Sequence, residues 1–165
     1  MYGADLSKVI RAEFKANGIK GVSVSVKHVD SLYLKFKVSD ADFKPFEEYL
    51  SGYGWDSLGN WCWFDGVQKP RDNYWSLDEA GRAKVLEENA KRDYDYVKKA
   101  GSEYGYDLNE YHMDDYKMFS DAFIEKVKKA KMIVDSYNFD ESNAMVDYFH
   151  RGFYDNYCVK YKPVA

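Results

Sequence analysis

The chain has 165 residues, of which 45% are hydrophobic and three are proline. That suffices for one domain with a real core and excludes disorder by composition. No apolar run approaches the roughly 18 residues of a membrane-spanning helix, and the net charge of −4 is mild but unevenly spread.

The opening MYGADLSKVIRAEF lacks a basic start followed by an apolar block, so no secretory signal is expected. Leu6, Val9, Ile10 and Phe14 fall at helical spacing, and Asn17-Gly18 should stop that helix. GVSVSVKHV then alternates valines with polar residues. After Asp30-Ser31, LYLKFKV sets Leu32, Leu34, Phe36 and Val38 on one face and Lys35 and Lys37 on the other. Two alternating runs across a short polar turn predict an antiparallel hairpin with one buried face.

Residues 40–51 read as a helix, with Phe43, Phe46, Tyr49 and Leu50 apolar, Pro45 in its first turn and Gly52 after its end. YGWDSLGNWCWFDG has the aromatic density of further strand or a second hairpin, with Trp55, Trp61 and Trp63 expected to cover the sheet. Ser76-Leu77-Asp78-Glu79 has the form of a capping box. It predicts a helix from Leu77 to about Ala100, inward at Val85, Leu86, Ala90, Tyr94 and Val97, with Gly101 ending it. Residues 102–118 are poorly periodic and read as loop or broken helix. An amphipathic helix should start near Asp121, with Phe123, Ile124, Val127 and Met132 on its apolar side. FYDNYCVKYKPV alternates like a strand that returns to the sheet. The expected class is α+β: an antiparallel sheet of N-terminal hairpin plus C-terminal strand, packed against several helices. One domain should occupy 1–165, with a helical insertion at 76–135.

The motifs of nucleotide chemistry are missing, with no GxxxxGK[ST], GxGxxG or GxSxG in the sequence. Cys62 and Cys158 are the only cysteines. They lie far apart without a CxxC, which fits small core residues in a reducing cytoplasm and leaves a disulfide between them open. His112 with Asp114 and Asp115 offers cation-binding residue types. It lacks an i, i+4 histidine pair or a nearby thiolate, and so reads as a solvated acidic loop. His28, next to the hairpin turn, is expected to be exposed. His150 and Asp147 could form an acid–base pair or a simple hydrogen bond, with no nucleophile or oxyanion donors to accompany them. No catalytic residue, cofactor or metal is assigned.

Two patterns point to binding. Lys27, Lys35 and Lys37 share the outward face of the hairpin, with Lys20 close by. They could hold a phosphate backbone, or simply guard the sheet from aggregation. Residues 101–125 carry seven carboxylates against the single Lys117, followed by Lys126, Lys128, Lys129 and Lys131. Within them EYGYDLNEYHMDDY spaces acids with rings, as nucleic acid spaces phosphates with bases. Such a tract could occupy a basic nucleic-acid channel of another protein, or be an ordinary acidic surface loop.

A resemblance sharpens this choice. Tyr137-Asn138-Phe139-Asp140-Glu141-Ser142-Asn143, then Val146-Asp147-Tyr148-Phe149 and Gly152-Phe153-Tyr154, resemble a YNYDxSD, DYF and FY pattern of the large polyvalent protein-associated domains of phages and plasmids. VIRAEFKANG followed by GVSVSV is similar to the helix–hairpin opening of that group. The middle of the chain is unmatched, Phe139 stands where a second Tyr is usual, and DNYCVKY replaces a more apolar run. The shared rings would pack on Val22, Val24, Val26, Leu34 and Phe36, with Asn138 and Asp140 capping a turn. The resemblance implies a mobile-element origin and an accessory protein that antagonises bacterial immunity. The expected function is therefore inhibition of a defence nuclease, a CRISPR effector before a restriction enzyme, by protein binding and acidic nucleic-acid mimicry in the bacterial cytoplasm. Glu103, Tyr104, Tyr106, Asp107, Glu110, Tyr111, Asp114, Asp115 and Tyr116 would contact the partner. The alternative is a nucleic-acid-binding domain using Lys20, Lys27, Lys35 and Lys37.

Overall fold

The computed structural model describes residues 4–27, 31–137 and 154–163. Helix α1 (Ala4–Ala16) buries Leu6, Ile10 and Phe14. It ends as its sequence requires: Gly18 takes a φ of 71°, and the N–H of Ile19 donates back to the Phe14 carbonyl at 2.8 Å. That closure satisfies a terminal carbonyl, and glycine adopts it without a Cβ penalty.

Strands β1 (Val22–Lys27) and β2 (Ser31–Val38) pair antiparallel, with Val24 opposite Leu34. The C-terminal strand, called β6 below (Tyr154–Tyr161), lies beside β2 with Leu34 opposite Tyr157 and Phe36 opposite Val159. The class is α+β, with the N-terminal hairpin and the C-terminal strand in one sheet, as expected. The direction of β6 differs from expectation, because it runs parallel to β2. Alternation of side chains is the same in either direction, and the long chain between the two strands supplies the crossover that parallel pairing needs. A short strand, β5 (Tyr106–Leu108), adds antiparallel to the far side of β6 and completes a mixed sheet of order β1-β2-β6-β5.

Helix α2 covers only Phe46–Ser51. A separate 3-10 turn at Asp40–Asp42 and extended backbone at Phe43 replace the expected single helix over 40–51. Pro45 explains the split: it sits in polyproline geometry before the helix, and proline disfavours the helical region for the residue preceding it. A second hairpin follows, β3 (Trp61–Phe64) and β4 (Val67–Pro70). Asp65 and Gly66, with φ of 50° and 82°, give the doubly positive turn that suits a two-residue hairpin loop.

This hairpin is a separate two-stranded sheet, so the tryptophans do not cover the main sheet as expected. Trp61 is 64% exposed, while Trp63 and Trp55 lie under the guanidinium groups of Arg92 and Arg71 at 3.8 and 4.1 Å. The hairpin docks on the long helix α3 (Glu79–Glu103). Buried Asn89 accepts from the N–H of Trp63 and donates to its carbonyl, both at 2.8 Å. Glu88 takes the N–H groups of Asp65 and Gly66.

Both predicted ends of α3 move. Asp78 is the N-cap, accepting from Gly81 N–H at 2.8 Å. Ser76 instead closes a 3-10 segment by donating to the Asn73 carbonyl. Asp and Ser cap about equally well, so the sequence alone does not separate them. Gly101 does not end the helix either; it is buried within it. A Cβ there would meet Tyr161 Cβ at 3.0 Å and its backbone N at 3.3 Å. This glycine is needed for close approach of β6, and Gly105 at φ 99° makes the stop.

Helix α4 (Asp121–Tyr137) buries Phe123, Ile124, Val127, Ala130 and Val134. Met132, expected on that side, is 73% exposed. Nine residues beyond Phe123 is two and a half turns, which places it on the opposite face. Rings link the core from end to end: Phe36 touches Phe123, then Phe119, Phe43, Tyr94, Tyr49 and Tyr53 follow at centroid spacings of 4.8 to 6.0 Å. Cys62 and Cys158 are free thiols, the first buried. Among the described residues no helix is long and apolar enough to cross a membrane.

Candidate functional site

The acidic tract folds into three pieces along the β5 edge of the sheet. Glu103 and Tyr104 end α3, Tyr106 and Asp107 belong to β5, and the remainder forms a 3-10 segment, Glu110–Asp115. The loop or broken helix expected over 102–118 is thus partly strand. Asn109 caps the 3-10 segment by accepting from Tyr111 N–H at 3.1 Å, and its own N–H donates to the Tyr116 hydroxyl at 2.7 Å. Buried Leu108 and Met113 anchor the two ends. The polar side chains between these anchors are therefore held outward by a fixed backbone.

The nine expected partner-binding residues do not share one environment. Glu103, Tyr104, Asp107, Tyr111, Asp114 and Asp115 are exposed, whereas Tyr106, Glu110 and Tyr116 are half-buried. No salt bridge joins Glu103, Asp107 or Glu110 to any described residue. Asp114 differs: the Lys128 ammonium of α4 donates to it at 2.6 Å, and this bond raises the lysine pKa. Asp115 lies 3.6 Å from His112 Nδ1. Lys131 stands 4.9 Å from the Tyr111 ring. The lysines that follow the acids in sequence thus already neutralise one end of the tract, whereas at the 103–110 end no salt bridge does so among the described residues.

The rings are ordered too. Tyr104 hydrogen-bonds Tyr96, which raises its phenol pKa. Tyr96 meets Tyr106 edge-on at 6.4 Å, and Tyr106 meets Tyr116 edge-on at 6.1 Å. Tyr96, Tyr104 and Tyr111 are each more than half exposed. Tyr96 was not among the expected residues. Its signal is its place on α3, one position before the inward Val97, where a ring borders the apolar stripe.

The lysines lie on the outer face of the sheet, which Asp107 shares because it pairs with Cys158. The buried face of the sheet holds Val24, Leu34, Phe36, Tyr157 and Val159. The opposite face carries Lys27, Tyr33, Lys35 and Lys37, joined across β6 by Asn156, Cys158 and Lys160, because Lys35 pairs with Cys158 and Lys37 with Lys160. The Lys27 ammonium sits 5.2 Å from the Tyr33 ring centre. Lys160 was missed because only the register of β6 brings it beside Lys37. Lys20 is exposed in the connection between α1 and β1.

Among the described residues no group of three histidine, cysteine or carboxylate side chains is placed to hold a metal ion. His28, Asp147, His150 and the resemblance-bearing residues 138–153 lie outside the described residues. Of that pattern, Tyr137 donates to Glu13 at 3.0 Å and Tyr154 is 46% exposed. No family model, curated protein or solved structure matches the chain.

Proposed function

We propose that this chain is a non-enzymatic accessory protein of a phage or other mobile element. It inhibits a bacterial defence nuclease, a CRISPR effector before a restriction enzyme, by binding it in the cytoplasm. The observation that carries the reading is the 103–116 edge: three carboxylates without a described ionic partner, set beside exposed tyrosines on a fixed backbone. Glu103, Asp107 and Glu110 would pair with arginines and lysines that otherwise hold nucleic acid, and charge-assisted pairs of this kind fix orientation as well as affinity. Tyr104 and Tyr111 would bury at the contact, where aromatic residues supply most of the energy of an interface. Asp114 reaches the partner already neutralised by Lys128. The likeness of both chain ends to large polyvalent protein-associated domains adds the mobile-element setting.

The triple change Glu103→Lys, Asp107→Lys and Asp115→Lys is expected to abolish protection of a phage or plasmid from the nuclease. Its melting temperature should stay within a few degrees of the parent, because exposed charges contribute about 0–1 kcal/mol each. Full protection by the triple variant would dispose of the mimicry reading.

A second reading uses the lysine face of the sheet to hold nucleic acid, and the addition of Lys160 and Tyr33 to Lys27, Lys35 and Lys37 on one surface favours it. It expects a gel shift with DNA or RNA that fades steeply with salt. Changing the three original lysines to glutamine should flatten that dependence by about three counterions. Absence of any retained band at low salt would remove this reading.

A further inference from the structure

Between the 103–116 edge, α3 and the segment after α2 lies a cavity of about 440 Å³. Tyr49, Tyr53, Tyr96, Tyr106 and Tyr116 line it together with Asp93. Five phenols gathered around a carboxylate of α3 form an unusual lining. Tyr49 and Tyr53 pack edge-on at 5.7 Å on one side, and the Tyr96–Tyr106–Tyr116 series builds the other. The Tyr53 hydroxyl donates to Asp93 Oδ2 at 3.0 Å, and no lysine or arginine among the described residues pairs with that carboxylate. Asp93 is itself exposed to solvent. The surrounding rings nonetheless displace enough water to push its carboxyl pKa upward, against the Tyr53 hydrogen bond.

The rest of the lining gives the sign of the missing charge. Asp56 and Asp115 add two carboxylates, and Lys117 is the single cation of the lining among the described residues. Tyrosine faces attract cations through the ring quadrupole, most strongly where water is thinned. A guanidinium suits such a place better than an ammonium. It is planar and weakly hydrated, stacks on rings, and can offer two parallel N–H groups to one carboxylate. The volume falls within the usual range for ligand pockets, roughly 300–1,000 Å³, and accepts an arginine side chain with room for water.

We infer that this tyrosine-lined cleft is a guanidinium site that takes an arginine side chain of the protein partner, with Asp93 as the anchoring carboxylate. The inference rests on the reading of the adjoining edge as a protein-binding surface, and it names the residue type that enters. Of the expected partner-binding residues, Tyr106, Asp115 and Tyr116 belong to the cleft.

The test needs no partner. The full-length chain is titrated with N-acetyl-arginine amide, followed by backbone amide shifts. Saturable binding in the millimolar range is expected, as for a single anchored side chain, with the largest shifts at residues 93–97, 106 and 116. N-acetyl-citrulline amide, the neutral isostere, and N-acetyl-lysine amide should each bind at least about tenfold more weakly. Asp93→Asn keeps the shape and the Tyr53 hydrogen bond, and it should weaken arginine binding by about tenfold or more. Tyr96→Ala, at an exposed rim position, provides a second variant should the first perturb folding, and it should weaken binding severalfold. Absence of saturation, equal binding of citrulline or lysine, or unchanged binding in both variants would each overturn the inference. Arginine binding without nuclease inhibition would sink the proposed function and leave the site standing. Inhibition without arginine binding would do the reverse.

Discussion

Replacing Lys131 by methionine is expected to destabilise the fold by about 3 kcal/mol, roughly 10 °C in melting temperature for a chain of this size. The Lys131 side chain is 15% exposed and that of Asp155 is 2% exposed, with 3.6 Å between their charged atoms. Asp155 on β6 also accepts from the Tyr157 hydroxyl at 2.8 Å, and Lys131 bonds Asp135 at 3.0 Å. Burial works against the lysine charge. The Asp135 hydrogen bond and the two carboxylates more than offset it, so its pKa lies above the ordinary value. Methionine keeps the apolar stem and removes only the ammonium, leaving Asp155 charged among the side chains of α4 and the sheet. The cost is that of an orphaned carboxylate, which differs from the net worth of the pair. Adding Asp155→Asn should therefore recover most of the loss, because the amide still accepts from Tyr157. Urea unfolding of the two variants decides the matter. A single variant as stable as the parent would mean that the pair contributes nothing.

Elements with a strong period were legible in the sequence. Leu6, Ile10 and Phe14 marked α1, and Leu32 to Val38 marked β2. Val127 marked α4, while Met132 misled because an apolar residue at a solvent position carries no periodic penalty. What failed was long-range or very short. Strand β5 has only three residues, Tyr106–Leu108, too few to show alternation, and it exists because β6 offers an edge to pair with. The direction of β6 follows from connection length and not from local pattern. Gly101 looks like a helix stop in sequence, yet the neighbour that requires it is Tyr161, sixty residues away in the chain. The candidate surface divides the same way. Exposure of the acidic tract could be read from composition, whereas the pairing of Asp114 with Lys128 depends on how α4 crosses the 3-10 segment. Asp93 was missed although a signal exists: Val85, Asn89, Asp93 and Val97 recur at four-residue spacing on α3, and two polar residues inside an apolar stripe mark a face with polar work. Asn89 holds the second hairpin, and Asp93 lines the cleft.

The chain should unfold sharply in alkali, with stability nearly flat up to pH 10 in respect of its tyrosines and falling steeply beyond. Tyr49, Tyr53 and Tyr157 are each at most 8% exposed. Burial is the first cause that raises their phenol pKa values above the ordinary 10, and nearby negative charge is the second: Asp93 for Tyr49 and Tyr53, Asp155 for Tyr157. Below pH 10 both folded and unfolded chains hold these protons, so the contribution is complete. Above it the unfolded chain releases them while the folded chain keeps them, and the equilibrium shifts toward unfolding. Each retained proton is worth about 1.4 kcal/mol per pH unit. Three together therefore remove roughly 4 kcal/mol per unit, enough between pH 10 and 12 to exceed much of an ordinary stability of about 5–15 kcal/mol. Absorbance near 295 nm, which reports tyrosinate, should accordingly show an abrupt rise coincident with loss of the far-ultraviolet helix signal. Tyr157→Phe removes one of the three protons and the hydroxyl that serves Asp155, so it should lower stability at neutral pH while reducing the alkaline slope by about a third. A single gradual rise, completed while the helices remain intact, would mean that these phenols ionise inside the folded chain and that their burial exerts no such grip.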